Sequence, residues 1–272
     1  MTALETGTQD LRAEVDDGVA VITMNRPDRR NAMSEAMVSA LGAVLAQVET
    51  DDAVGCVVLT GAGGAFCAGG DVKNMAASPA DRGGQSLDVR IHRQRLGQRA
   101  TSGRLWAMPK PTIAAISGPA AGAGLSLALA CDLRYAVPSA VLTTAFARVA
   151  LAGDYGGTWF LTQLVGSSKA KELYYFSERL TAEEAERLGI VNAVIPAAGF
   201  EQEVMARARR LAAGPSIAYR YMKENLNRAA TGELTDCMDL EVTHHVHSTL
   251  TEDHREAAAA FVDKREPRFH GR

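Results

Sequence analysis

The sequence predicts an α/β protein with mostly parallel strand pairing. Three observations point there. Short apolar runs recur at Val19–Met24, Val54–Thr60, Thr112–Ile116 and Asp132–Ala136. Helical spacing of apolar or small residues fills the segments between them. Beyond about Gly156 the character changes, and almost everything reads as helix.

Leu11, Ala13 and Val15 alternate ahead of Asp16-Asp17-Gly18, and Val19–Met24 follow, the pattern of a β-hairpin. Asn25-Arg26-Pro27-Asp28 is a turn. Ser34 suits the N-cap of a helix whose Met37, Leu41, Val44, Leu45 and Val48 share one face. Val54–Thr60 reads as a buried strand and Gly61–Asp71 as a glycine-rich loop. Leu87–Met108 predicts a partly exposed helix, stopped by Pro109-Lys110-Pro111. A strand at Thr112–Ile116, a small-residue helix at Gly122–Ala130 and a strand at Asp132–Ala136 come next. Helices are then expected at Thr158–Leu164, Ser168–Phe176, Thr181–Leu188, Gly199–Ala213, Pro215–Ala229, Glu233–Ser248 and Glu252–Asp263, with one strand at Asn192–Ile195. A division near Gly199–Gly214 separates a core, residues 1–200, from a helical module, residues 201–272.

The composition narrows the function. With 47% hydrophobic and 22% charged residues over 272 positions, the chain can bury a large core. A net charge of -3 carries no basic excess, so nucleic acid is not an expected partner. Cys56, Cys67, Cys131 and Cys237 form no Cys-x-x-Cys pair, which disfavours a zinc ribbon or disulfide scaffold and suits a reducing compartment. The N-terminus has neither a signal-peptide core nor a transit pattern, and no run of eighteen apolar residues occurs. A soluble cytoplasmic protein with no membrane partner is expected.

Two glycine-rich segments each follow an expected strand: Cys67-Ala68-Gly69-Gly70-Asp71, and Gly118-Pro119-Ala120-Ala121-Gly122-Ala123-Gly124 before a helix. Such bends let main-chain amides face a ligand, and two amides aimed at one oxygen make an oxyanion hole. They equally serve tight turns and close packing. Neither Gly61-Ala62-Gly63 nor Gly122-Ala123-Gly124 opens a dinucleotide fingerprint, since Phe66 and Leu127 stand where the third glycine belongs, and no phosphate-binding G-x-x-x-x-G-K-[ST] occurs. Cys67 and Cys131 read as core fillers. Ser126, Asp154 and His244 or His245 follow a Ser–Asp–His order, but Ser126 falls inside a helix, away from a strand-to-helix elbow. His244, His245 and His247 match no metal-site spacing and read as surface or interface residues, so no metal is expected.

Ordered motifs over nearly the whole chain resemble the crotonase superfamily, also called enoyl-CoA hydratase/isomerase. They are Asn25-Arg26-Pro27 through Asn31-Ala32-Met33, Ala65-Phe66-Cys67-Ala68-Gly69-Gly70-Asp71, Lys110–Ile116 through Gly124, Cys131-Asp132, Gly156-Gly157-Thr158, Leu188–Asn192, and Ala260–Arg265. The resemblance implies a spiral of ββα turns with a C-terminal α-helical trimerisation region. It implies an acyl-CoA thioester substrate, with coenzyme A part of that substrate and no permanently bound cofactor. It implies a homotrimer, or a hexamer made as a dimer of trimers. By motif position, the two amides that hold the thioester oxygen belong to Gly70 and Ala123.

The two glutamates of the family's hydratases fall on Ser126 and Phe146, neither a carboxylate. Asp154 stands where the family's isomerase-like, dehalogenase and hydrolase branches carry an acid, though Asp is also a good N-cap for the helix that follows. One carboxylate suits moving a 3-enoyl bond to the 2-position, since it can take a proton at C2 and return it at C4. Hydration of a 2-enoyl thioester, hydrolysis, and non-catalytic acyl-CoA binding are the alternatives. Analogy places coenzyme A near Arg26, Arg29, Arg30 and Ala32, near Ala68 and Lys73, and against Phe261 or Lys264 of a neighbour. Each basic residue is equally readable as a solvated surface charge.

Overall fold

The computed structural model describes residues 1–71 and 86–272. Its strands among the described residues are β1 (Thr2–Leu4), β2 (Leu11–Asp16), β3 (Val19–Met24), β4 (Cys56–Gly61), β5 (Thr112–Ile116), β6 (Ala120–Ala121), β7 (Leu133–Ala136), β8 (Val141–Thr143), β9 (Leu180–Thr181) and β10 (Ala193–Val194). The helices are α1 (Glu35–Thr50), α2 (Leu87–Gln98), α3 (Arg104–Ala107), α4 (Ala123–Ala130), α5 (Gly157–Phe176), α6 (Ala182–Arg187), α7 (Phe200–Ala212), α8 (Ser216–Ala229), α9 (Leu234–Thr249) and α10 (Glu252–Asp263).

The expected α/β class holds. A seven-stranded sheet runs β1-β2-β3-β4-β5-β7-β10, antiparallel at β1–β3 and parallel onward. Asp17 (φ 49°) and Gly18 (φ 76°) both take positive φ, as a two-residue type I′ hairpin turn requires. In the parallel part Val21 sits opposite Val58, and Leu59 opposite Ala114. These strands are buried along nearly every position, as parallel strands covered on both faces must be. Ser34 caps α1 by accepting from the Met37 N–H at 3.0 Å, and α1 buries Met37, Leu41, Val44, Leu45 and Val48.

A second, three-stranded sheet, β6-β8-β9, flanks the glycine segment before α4. Its two- and three-residue strands leave too little pattern to read from sequence. The expected helix at Leu87–Met108 is broken. Between α2 and α3, Arg99–Gly103 forms a wide π turn. The expected pair Thr158–Leu164 and Ser168–Phe176 is α5, interrupted at Gly166 (φ 75°, ψ 162°).

The expected division at residue 200 meets the packing differently. α7 lies against β3, β4 and β5 and buries Phe200, Val204 and Ala208 in the one hydrophobic core. The helices that stand away from the sheet begin with α8. There the Lys223 ammonium reaches inward to Leu105 O (3.0 Å), Lys110 O (3.1 Å) and Asp132 Oδ2 (2.9 Å). α9 packs on α8 and exposes Leu234, Met238, Val242 and Val246, one residue per helical turn, with exposed Leu250 at its C-cap.

Candidate active site

The loop after β4 and the turn before α4 meet face to face. The Ala121 N–H donates to Cys67 O (2.9 Å), and the Cys67 N–H to Pro119 O (3.2 Å). Only glycine permits this approach. A Cβ on Gly124 would lie 2.3 Å from Cys67 O. On Gly69, which adopts φ 87°, it would lie 2.6 Å from Ala121 O and 3.3 Å from Ala123 N. Gly70 therefore follows directly on the contact, across from Ala123. Ala123 opens α4, so its N–H is a first-turn donor with no helical partner. Among the described residues neither the Gly70 N–H nor the Ala123 N–H has a main-chain acceptor.

Buried groups brace the loop from behind. Asn31, fully buried at φ 57°, accepts from the Arg26 N–H (2.9 Å) and donates to Ala62 O (2.9 Å) and Ala65 O (2.8 Å). Met33 N–H donates to Gly69 O (2.8 Å), and Ala68 N–H to Arg30 O (2.9 Å). The Arg26 guanidinium donates to Asp71 Oδ2 (3.2 and 3.3 Å) and to Ala32 O (2.5 Å).

Asp154 sits in a turn of unusual backbone. Gly153 (φ 113°), Tyr155 (φ 52°) and Gly156 (φ 76°) all take positive φ. Gly156 occupies the cap of α5 with no side-chain cap bond, so the Asp154 carboxylate does not serve as the N-cap. Instead its Oδ1 is buried with no hydrogen-bond partner among the described residues. Burial alone pushes its pKa up to about 6. The phenols of Tyr155 and Tyr174 lie close enough that burial, and then the Asp154 charge, push both upward.

The rest of that wall is aromatic and small. The Tyr174 ring stacks on Phe146, with centroids 5.8 Å apart and planes 5° apart. A Cβ on Gly157 would lie 2.2 Å from Ser126 Oγ and 2.7 Å from the Tyr174 hydroxyl. A Cβ on Gly122 would lie 3.8 Å from the Phe146 ring. Ser126, Phe146, Tyr174 and the Asp154 turn thus adjoin the start of α4. Sequence reasoning missed Tyr174, because nothing local in α5 marks a contact made across the fold.

The other candidates fall in several places. Arg26 and Ala32 belong to the brace, and the Arg26 guanidinium already faces Asp71. Arg29 and Arg30 are exposed beside it, and Arg29 faces Asp28 at 3.7 Å. Ala68 lines the loop itself. Lys73 lies outside the described residues. Phe261 (87% exposed) and Lys264 end α10 on the surface. The Ser–Asp–His order does not assemble. The Ser126 hydroxyl donates to Gly122 O (3.3 Å) within α4. His244 instead stacks on Tyr221 (centroids 4.2 Å apart) and contacts Asn225 Oδ1 (2.6 Å). Cys67 and Cys131 are buried, and burial raises both thiols to about 12, which fits core fillers.

Known proteins bear on this geometry. The family model described as Enoyl-CoA hydratase/isomerase matches residues 14–272. The chain is 36% identical over 260 residues to the 1,2-epoxyphenylacetyl-CoA isomerase of Escherichia coli (strain K12), spanning 96% of this chain and 98% of that protein. It is 37% identical over 262 residues to a probable enoyl-CoA hydratase of Rhodobacter capsulatus, spanning 96% and 98%. The crystal structure of a putative enoyl-CoA hydratase from Streptomyces coelicolor A3(2) superposes with a TM-score of 0.91 at 34% identity, covering 100% of this chain and 98% of that one. The chain belongs to the enoyl-CoA hydratase/isomerase family and is an enzyme of the crotonase superfamily.

Proposed function

We propose that the enzyme shifts the double bond of a 3-enoyl-CoA to the 2-position, with Asp154 as its single acid/base. The Gly70 and Ala123 N–H groups donate to the thioester oxygen. The Asp154 carboxylate takes a proton from C2, and the electron pair left behind spreads into an enolate whose charge rests on that oxygen. The carboxylic acid then returns the proton at C4 as the C2–C3 double bond forms. Two such donors matter because losing one costs a transition state about 2.7–4 kcal/mol.

The observation that carries this reading is the buried, unpartnered Oδ1 of Asp154. A carboxylate whose buried Oδ1 accepts no hydrogen bond among the described residues, with its pKa raised to about 6, is poised to exchange protons near neutral pH. Ser126 and Phe146 put no second carboxylate beside it. That Escherichia coli relative is itself named an isomerase of a CoA thioester, which supports isomerisation over hydration. The hydratase name of the Rhodobacter capsulatus relative favours a second reading, addition of water to a 2-enoyl-CoA. Asp154→Asn should leave CoA-thioester binding nearly intact and lower 3-enoyl-CoA isomerisation about 10³-fold. Retained isomerisation removes Asp154 from the mechanism. Product analysis on 2- and 3-enoyl thioesters separates isomerase from hydratase, and hydrolysis or binding without turnover would point to the remaining alternatives.

Coenzyme A is proposed to run along Arg29, Arg30 and Ala68, with Lys73 and a neighbour's Phe261 or Lys264 as further contacts. The exposed apolar row on α9 supports a trimer or a hexamer of two trimers. Four free cysteines, three of them buried, suit the cytoplasm. Among the described residues no helix is long and apolar enough to cross a membrane.

A further inference from the structure

The turn that carries Asp154 is strained, and one side chain from another part of the chain holds it. Tyr155 is bulky, yet it adopts φ 52°, a region such residues rarely occupy. It lies between Gly153 at φ 113° and Gly156 at φ 76°, where glycine takes such backbone freely, so the strain of the turn falls on Tyr155, next to Asp154. Strain of this kind persists only where the surroundings enforce it. The enforcing contact is the Tyr155 N–H, which donates to Gln98 Oε1 at 3.0 Å across 57 positions of sequence.

Gln98 is itself fixed. It is the last residue of α2 and the entry to the π turn Arg99–Gly103. Its carbonyl accepts from the buried Ser102 hydroxyl at 3.2 Å. The next turn of chain is pinned on α1, where a Cβ on Gly42 would lie 3.2 Å from the Ala100 methyl. π turns inside helices often mark functional positions, because the extra residue re-aims the side chains beside it. Here the re-aimed amide meets the Asp154 turn.

The geometry points to Gln98 as a positioning residue: by holding the Tyr155 N–H, it keeps the strained turn closed and the Asp154 carboxylate turned inward, with its Oδ1 buried. The inference rests on the reading of Asp154 as acid/base. Among the described residues, the titratable groups facing the carboxylate are the phenols of Tyr155, on its own turn, and Tyr174, from α5. Neither is charged in the neutral range, so the carboxyl's burial sets its proton affinity.

The test compares Gln98→Leu, which removes the acceptor, with Gln98→Glu, which keeps an acceptor oxygen. The Asp154 carboxyl is followed by isotope-edited infrared titration, identified as the band lost in Asp154→Asn, beside kcat, KM and melting temperature. In Gln98→Leu the carboxyl should titrate at least one pH unit lower, with kcat down about tenfold and KM within twofold. Gln98→Glu should recover most of kcat. An Asp154 titration and a kcat in folded Gln98→Leu that match the wild type overturn the inference. Full isomerisation by Asp154→Asn overturns the acid/base reading instead, while the infrared titration still decides whether Gln98 holds the turn.

Discussion

Asp71 and Asp154 both lie close behind a glycine and are both largely buried, yet they are held in opposite ways. Asp71 faces the Arg26 guanidinium at 3.2 Å, and that guanidinium also takes up Ala32 O. Asp154 has a buried oxygen, Oδ1, with no hydrogen bond among the described residues. A buried charge that meets its partner fixes architecture, here the bend carrying Gly70. A buried charge kept from any partner is costly to hold, and it retains the proton affinity that chemistry requires. The contrast predicts that changes at one aspartate's surroundings alter rate, and at the other's alter folding.

Among changes that leave Asp154 itself in place, the largest effect should come from disturbing the glycine contact. Gly69→Ala puts a methyl 2.6 Å from Ala121 O, on a backbone at φ 87°, so the Ala123 N–H must shift. The isomerisation rate should fall about 10²-fold, as for the loss of one oxyanion donor. The acid limb of the pH–rate profile should stay near pH 6, because the Asp154 turn is untouched. A limb displaced together with the rate would mean that the two bends are not separable.

The Asp71 side is tested by Arg26→Leu, which takes the guanidinium away from the buried Asp71 carboxylate. Breaking such a pair should cost about 3 kcal/mol of stability, read from urea denaturation. Adding Asp71→Asn to that variant should restore part of the loss, since the charge that needed a partner is gone. If Arg26→Leu instead unfolds like the wild type but binds CoA thioesters poorly, the guanidinium serves the ligand and not the bend.

How much of this was legible in the sequence follows from the range of each interaction. The hairpin at Asp17-Gly18, the Ser34 cap and the strand at Thr112–Ile116 are set by neighbours in sequence, and all appear where expected. Both glycine segments and Asp154 stood out for the same reason, through residue type and spacing. What stayed hidden depends on contacts made across the fold. Tyr174 stacks on Phe146, 28 positions away, and Gln98 reaches Tyr155 from 57 away. The π turn that breaks the expected 87–108 helix has no signal in helical periodicity. Nor did composition show that α7 belongs to the sheet's core, because an amphipathic helix reads alike whether it covers a sheet or a neighbouring subunit.

The smallest expected effect bears directly on the contrast, because it concerns the sign of each charge's contribution. Folding raises the Asp154 carboxyl from its ordinary 3.8 to about 6. Between those values the folded protein binds the proton more tightly than the unfolded chain. Stability from this group therefore falls as pH rises through that window and stays low above it. At pH 8 the wild type carries a penalty on the order of 2 kcal/mol, reduced from the full shift because the carboxyl keeps some contact with solvent. Asp154→Asn removes the charge, so it should melt above the wild type at pH 8, by about 4 °C for a chain of this size. Near pH 4 the two proteins should melt together. Asp71→Asn should behave in the opposite way, losing stability at pH 8 because a paired charge is removed. If Asp154→Asn is no more stable than the wild type at pH 8, the carboxylate is held at no cost, and the distinction between the two aspartates fails.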